Sequence, residues 1–342
     1  MLPTIRQLDY QYKVPRFDLN KSDIDNFLDE LTGFHENFQD CFHRSESRRH
    51  FFQYMAGQFS ELERKSIEPI ALNVKDGNVR SMQRFISDAE WDDEKIQDKY
   101  RNMVAEDLGH PDGALIFDET GFLKKGTESI GVARQYCGTI GKVDNCQVGV
   151  LAAYASEYGY ALIDKDLYIP EKWFGNDYKV RREKCRLPED IKFQTKPQIA
   201  AKMLDRVSKT NTIPFKYILA DSVYGENPDF INVADSLVGV TYFVSAGSDT
   251  LCWLREPVVV QKKYRHKGKM KSKKILASNE KAPISFKNLA SSINNYFWYR
   301  RTVSEGTKGP ITYEFTKRRV VLSNKGMPQE TVWLVIRRTL TA

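Results

Sequence analysis

Several framework devices are missing from this chain. Its five cysteines (Cys41, Cys137, Cys146, Cys185 and Cys252) are scattered and odd in number. No CxxC occurs and no Cys/His set has structural-zinc spacing, so they read as free thiols in a reducing cytosol. No apolar run reaches about 18 residues, which excludes a hydrophobic helical membrane span. The N-terminal stretch MLPTIRQLDYQYKV lacks the apolar region of a signal peptide. The five histidines show no HExxH and no triad pattern. GTIGKV (138–143) is not a phosphate loop, because GxxxxGKS/T is absent. A large charge excess is lacking too: 52 Lys+Arg stand against 45 Asp+Glu in 342 residues, a formal +7. That balance permits a polyanionic partner without requiring one.

What is present divides by pattern. Residues 1–110 read as mostly helical, a candidate DNA-binding region carrying Arg44, Arg48, Arg49 and Arg64. Ser22-Asp-Ile-Asp reads as an N-cap before DNFLDELTGF. Apolar stripes on 45–74 suggest two helices broken near Gly57, and DAEWDDEKIQDKYRNMVAEDL (88–108) a further one, ended by Gly109 and Pro111. From Ala114 the period changes. ALIFD (114–118), SIGVARQY, CQVGVLAAYAS and YALIDKDLYIP read as strands, KPQIAAKMLDRVSKTN (196–211) as an amphipathic helix. PFKYILADS (214–222) is a strand, DFINVADSLVG a short helix and VTYFVSAG another strand. The expected fold class is a mixed α/β sheet over 111–250, with a β-rich segment over 251–342. Within that segment QKKYRHKGKMKSKK (261–274) holds eight Lys/Arg plus His266 and reads as a mobile basic loop.

Two carboxylates sit in equivalent places: Asp118 closes ALIFD and Asp221 closes YILAD. Sites in open α/β sheets gather at the carboxyl ends of strands. On neighbouring strands the two would stand about 5 Å apart. Unit charges that close repel by roughly 1 kcal/mol in water and about 4 kcal/mol at an effective dielectric of 20. A bridging cation or a proton relieves that, and hard oxygen ligands favour Mg²⁺ or Mn²⁺. Two metals about 3.5–4 Å apart are a standard device for phosphoryl displacement. Asp at a strand end is also a common turn former, so each residue alone carries little weight. Lys124 and Lys125 follow where an anionic backbone could lie.

The block DETGFLKKGTESIGVARQYCGTIGKVDNCQVGV (118–150) resembles the signature of insertion-sequence transposases of the DDE superfamily, specifically the insertion-sequence family numbered 701. LYIPEKW (167–173), FQTKPQIA (193–200), ILADSVYG (218–225), GTKGPITYEF (306–315) and VWLVIRR (332–338) are similar to that family as well. The likeness covers most of the chain from about Phe42. It implies a ribonuclease H-like core, a helical DNA-binding region and a β-rich insertion. It maps the first two catalytic, metal-binding carboxylates onto Asp118 and Asp221, with Mg²⁺ or Mn²⁺ as cofactor. It also implies double-stranded DNA partners (transposon terminal inverted repeats and target DNA), a homodimer on paired ends, no membrane association, and a cytoplasmic, nucleoid-associated bacterial protein.

One departure stands out. Related transposases carry a third carboxylate, a Glu on a later helix within a Y-x2-R-x3-E-x6-K pattern, and no such pattern follows Asp221. The sequence therefore reads as a C-terminally truncated transposase with little or no cleavage activity. The alternative is a non-catalytic DNA-binding remnant acting as repressor or competitor. A haloacid-dehalogenase-type phosphohydrolase needs D-x-D, whereas the chain has Asp118-Glu119-Thr120. Lesser DNA-contact candidates are Arg134, the cations Lys262, Lys263, Arg265 and Lys267, and Trp298, which the resemblance suggests as a base-stacking residue.

Overall fold

The computed structural model describes residues 26–340 except Gly268 and 307–308, together with Ser22. The expected cap at Ser22-Asp-Ile-Asp falls largely outside the described residues. The described residues divide into two compact units, one ending at Val244 and the other beginning at Ser245.

The first unit begins with helices α1 (Phe27–Glu36), α2 (Ser45–Gln58), α3 (Ile67–Asn73), α4 (Val79–Ser87) and α5 (Asp93–Leu108). Asn26 occupies the N-cap position of α1. Gly57, next to last in α2, permits close packing on α3. Gly57 lies so close to α3 that a Cβ there would meet Ile70 Cγ2 at 2.3 Å. Phe38, Cys41, Phe42 and Phe85 form one buried cluster, and Ile70, Ala71 and Met82 another. Helix α5 starts on Asp92, whose side chain accepts from Lys95 N at 2.9 Å. Asp93 and Glu94 in its first turn suit the positive end of the helix.

The helices lead into a six-stranded sheet: β1 (Ala114–Leu123), β2 (Ala133–Cys137), β3 (Lys142–Ser156), β4 (Gly159–Tyr168), β5 (Tyr217–Ala220) and β6 (Thr241–Val244). β3 lies antiparallel to β1, β2 and β4, while β5 runs parallel to β1 and β6 parallel to β5. The mixed sheet expected from the strand pattern is therefore present. Between β4 and β5 come α6 (Lys179–Lys184) and α7 (Lys196–Thr210). Thr195 and Gln198 close a capping box on α7, and its end is marked by Asn211 at φ 50°. α8 (Ser222–Gly225) and α9 (Pro228–Ser236) link β5 to β6.

One sheet face carries the core. Leu115, Phe117, Val150, Ala152, Tyr154 and Ile218 pack with Ile199, Met203, Leu204 and Val207 of α7 and with Phe230 and Ala234 of α9. Full burial of each large apolar side chain contributes about 1.5–3 kcal/mol. An ionic cluster ties the rim. Asp164 of β4, fully buried, holds Arg101 of α5 at 3.0 Å and Arg206 of α7 at 2.7 Å.

The second unit comprises β7 (Leu251–Trp253), β8 (Val259–His266), β9 (Lys269–Leu276), β10 (Ile284–Ser285), α10 (Phe286–Ser292), β11 (Tyr299–Gly306), β12 (Gly309–Asn324) and β13 (Met327–Thr339). Five of these strands form one sheet, with β12 flanked by β11, β13 and β7. Cys252, Phe286, Leu289 and Val320 are its buried centre. Segment 261–274 differs from the expected loop. β8 and β9 pair antiparallel from Val259↔Leu276 to His266↔Lys269 as a separate two-stranded ribbon. Lys267 at φ 47° takes the left-handed conformation that a two-residue hairpin connection requires. Backbone pairing needs no buried side chain, so the absence of apolar residues did not exclude strands.

Candidate active site

The parallel pairing of β1 with β5 sets the geometry. Their register runs from Ala114↔Tyr217 to Phe117↔Ala220. Leu115, Phe117 and Ile218 turn towards α7 and α9, so by alternation Ile116 and Leu219 turn to the opposite face. Asp118 and Asp221 come next on their respective backbones, one register step past Phe117↔Ala220. Neighbouring strands lie about 4.8 Å apart; Asp118 falls by alternation on the face away from the core helices, and Asp221 follows the end of β5 near enough for its charge to act on Asp118. Their strand environments differ from the expected symmetry. β5 ends before Asp221, which caps α8 by accepting from Val223 N at 2.9 Å. β1 instead continues through Asp118 to Leu123, because β3 pairs with it over that whole length.

Asp118 accepts from the backbone N–H of Glu119 at 2.8 Å. Partial loss of hydration raises its carboxyl pKa above the ordinary Asp value, the charges of Glu119 and Asp221 push the same way, and the Glu119 N–H bond and Lys196 oppose them. Such a pair, made of hard oxygen donors with an electrostatic conflict between them, fits a divalent cation of the Mg²⁺ or Mn²⁺ class. Among the described residues no group of three or more His, Cys, Asp or Glu side chains is arranged to hold a metal.

Glu119 explains part of that. It alternates onto the core face, where Lys196 Nζ donates to its Oε1 at 2.7 Å and the Tyr224 hydroxyl to its Oε2 at 2.7 Å. Tyr224 is fully buried. Burial first, and then the bond to Glu119, drive its phenol far above the usual Tyr value, so it remains a donor. Lys196 also lies over the Tyr168 ring at 5.6 Å. Glu119, Lys196 and Tyr224 thus brace β1 against α7 and α8 directly behind the aspartates. The sequence pattern alone assigned no bracing role to Glu119, Lys196 or Tyr224. The available signal was parity: a carboxylate two residues after Phe117 falls on the buried face and must find partners there.

The remaining candidates lie elsewhere. Lys124 and Lys125 follow the end of β1, about 20 Å along the strand from Asp118 at ~3.4 Å per residue. Their loop is pinned by Asn145, whose side chain donates to the carbonyls of Lys124 and Gly126 at 2.7 and 2.9 Å. Arg134 is exposed on β2 opposite Asn145. Lys262, Lys263, Arg265 and Lys267 are exposed on the ribbon of the other unit. Trp298 also belongs to that unit. Its indole N–H reaches Ile293 O at 3.4 Å, and the Arg338 guanidinium covers one ring face at 4.0 Å. In the helical region Arg44, Arg49 and Arg64 are exposed, whereas Arg48 donates to Phe42 O at 3.2 Å.

Comparison with known proteins bears on the same residues. Residues 37–310 match the family described as DDE superfamily endonuclease. A curated relative from Microchaete diplosiphon, described as a probable transposase for insertion sequence element IS701, is 33% identical over 200 residues, covering 58% of this chain. The chain spans about half the length of that relative, the match covering 49% of it. Because the family match extends over well more than half of the sequence and includes both Asp118 and Asp221, the chain belongs to the DDE superfamily endonucleases.

Proposed function

We propose that the chain is the metal-dependent catalytic part of an insertion-sequence transposase, acting on DNA phosphodiesters at Asp118 and Asp221. The observation that supports this reading is the parallel register of β1 and β5, whose last pair, Phe117↔Ala220, is followed on each backbone by an aspartate, Asp118 and Asp221, 103 residues apart in sequence. The sheet order β4-β3-β1-β5-β6, with its antiparallel half and parallel half, supports a ribonuclease H-like core. In this reading Asp118 and Asp221 hold Mg²⁺ or Mn²⁺. The ion would supply activation of a water or 3′-hydroxyl nucleophile and stabilisation of the leaving 3′-oxygen. Glu119, bonded to Lys196 and Tyr224, keeps the strand carrying Asp118 in register. The DNA substrate is double-stranded: transposon ends and a target.

Contacts to the duplex backbone are assigned to exposed cations: Lys124, Lys125 and Arg134 in the first unit, and Lys262, Lys263, Arg265 and Lys267 on the ribbon. A two-stranded ribbon fits the major groove, about 12 Å wide. Pairing of two copies on the DNA ends follows by analogy with cut-and-join chemistry.

A second reading has its own support. With Glu119 turned to the other face and engaged by Lys196 and Tyr224, the described ligand set stops at two carboxylates. Two ligands hold a divalent ion weakly, and a chain limited to them would occupy DNA with little or no cleavage, as a competitor or repressor. Nicking of supercoiled plasmid with Mn²⁺ separates the readings. The first expects nicking that Asp118→Asn abolishes. The second expects plasmid binding without nicking, and nicking that persists in Asp118→Asn removes the aspartate from the chemistry.

A further inference from the structure

The outward face of the β11–β12–β13 sheet interleaves aromatic rings and cations. Register places Tyr299, Phe315 and Arg337 in one row across the three strands. Arg301 and Tyr313 occupy the next row, and Lys317 and Arg319 continue along β12 beside Val335 and Trp333. The alternate positions point inward. Thr316 and Val320 are buried there, and Glu314 is held by Arg300 at 3.3 Å and Arg338 at 2.8 Å. The register therefore sends the acid inward. Among the outward positions of the paired stretch 313–319 and its partners 299–301 and 333–337 no carboxylate occurs.

Rings and cations are interleaved outside. Arg337 lies over Tyr313 at 4.5 Å, Lys317 over Trp333 at 5.2 Å and Arg301 over Tyr299 at 5.4 Å. Tyr299 and Phe315 stack with ring centroids 6.4 Å apart. Yet Trp333 remains 63% exposed and Tyr299 43%. Single exposed apolar residues are ordinary. Four rings alternating with four cations on one flat face are a binding surface in chemical terms.

The charge selects the occupant. A second copy of the same face would bring cations against cations across a two-fold axis. A polyanion neutralises them. Stacked bases inside a duplex present no ring face to such a surface, whereas unpaired bases stack readily on aromatic side chains while cations take the phosphates. We propose that this sheet face binds unpaired DNA strand, with Tyr299, Tyr313, Phe315 and Trp333 as stacking platforms and Lys317, Arg319 and Arg337 on the backbone. The inference rests on the nucleic-acid reading above but not on the acidic pair. It gives the second unit a task of its own: holding a strand that has lost its complement.

The test is fluorescence anisotropy of the full chain with labelled oligothymidylate, the same strand annealed to its complement, and oligouridylate, all in EDTA. Trp333→Ala should weaken oligothymidylate binding about tenfold, within the range of ~1–3 kcal/mol per stacked base, and leave duplex affinity unchanged. Trp333→Phe, which keeps a ring, should restore most of it. Lys317→Gln with Arg337→Gln should reduce the salt slope by about 1.4, at ~0.7 per phosphate of a single strand. Unaltered melting temperatures check that the exposed replacements fold. The proposal is overturned if wild type fails to bind oligothymidylate, if Trp333→Ala binds it normally, if the duplex suffers equally, or if oligouridylate binds more tightly. It is overturned too if Trp333→Ala converts a dimer to a monomer without affecting DNA. Because EDTA removes the metal chemistry, normal strand binding beside nicking that ignores Asp118→Asn sinks only the nuclease reading. The reverse pattern sinks only this face.

Discussion

The two sheets place charge by the same alternation but with opposite sign. In the first unit, Leu115 and Phe117 of β1 enter the core and the even position Asp118 turns to the other face, one step past the pair that precedes Asp221. In the second, Glu314, Thr316 and Val320 of β12 pack inward with Glu314 neutralised, and Tyr313, Phe315, Lys317 and Arg319 offer rings and cations, before Val321 is again buried. The first arrangement concentrates negative charge in one place, where a cation resolves the conflict. The second spreads positive charge over a broad face suited to a chain of phosphates. In the proposed reading they divide the work on DNA, one unit acting at a reacting bond and the other on the polymer around it.

The sharpest way to break that division is to remove the acid. Asp118→Asn or Asp221→Asn should reduce Mn²⁺-dependent plasmid nicking by a hundredfold or more, since even outer-shell changes at metal sites cost about 10–100-fold. Oligothymidylate binding should be unaffected. Next in size is the core beneath the acids. Leu204→Ala should destabilise the first unit by about 2–5 kcal/mol, measured by urea unfolding. Val335→Ala on the exposed face of the second sheet should stay within about 0.5 kcal/mol. Similar losses at both positions would contradict the one-sided assignment of the faces.

Tyr224→Phe sharpens the role of the brace. It deletes one hydrogen bond to Glu119 and leaves a carboxylate oxygen short of a partner, at about 1–3 kcal/mol. Nicking should fall, but less than in Asp118→Asn. The smallest effect concerns pH. The pKa of Asp118 is shifted upward in the folded chain, so the native state holds that proton more tightly than the unfolded state does. Its favourable contribution is present below the unfolded Asp value and is lost as pH rises through the folded one. At neutral pH the ionised group is a small liability, discounted because it is exposed. Asp118→Asn should therefore raise Tm slightly, by about 1–2 °C, and the gain should vanish in acid. A lowered Tm at neutral pH would contradict the repulsion.

Much of the first unit was legible because its signals are strong and local. Helix α7 declares itself through Thr195, Pro197, Gln198 and a buried stripe of Ile199, Met203, Leu204 and Val207. YILAD reads as a buried strand ending on a carboxylate, and β5 ends there. Less visible was the length of β1. Thr120-Gly121 look like a break, yet Gly121 is needed where the backbone approaches β2: a Cβ would meet Cys137 Sγ at 2.5 Å. The ribbon β8–β9 escaped detection because its strands have no inward face to impose a period of two. Glu119 was overlooked for a related reason. Its partners Lys196 and Tyr224 lie 77 and 105 residues away, and only the packed sheet brings them together.

The central claim is that Asp118 and Asp221 share a divalent cation. Its most direct test is calorimetric titration of Mn²⁺ into the wild-type chain and into Asp118→Asn and Asp221→Asn, with thermal melts at each metal concentration. The account expects a binding isotherm and a metal-dependent rise in Tm in the wild type, both lost in either variant. Equal Mn²⁺ binding by all three proteins would contradict it.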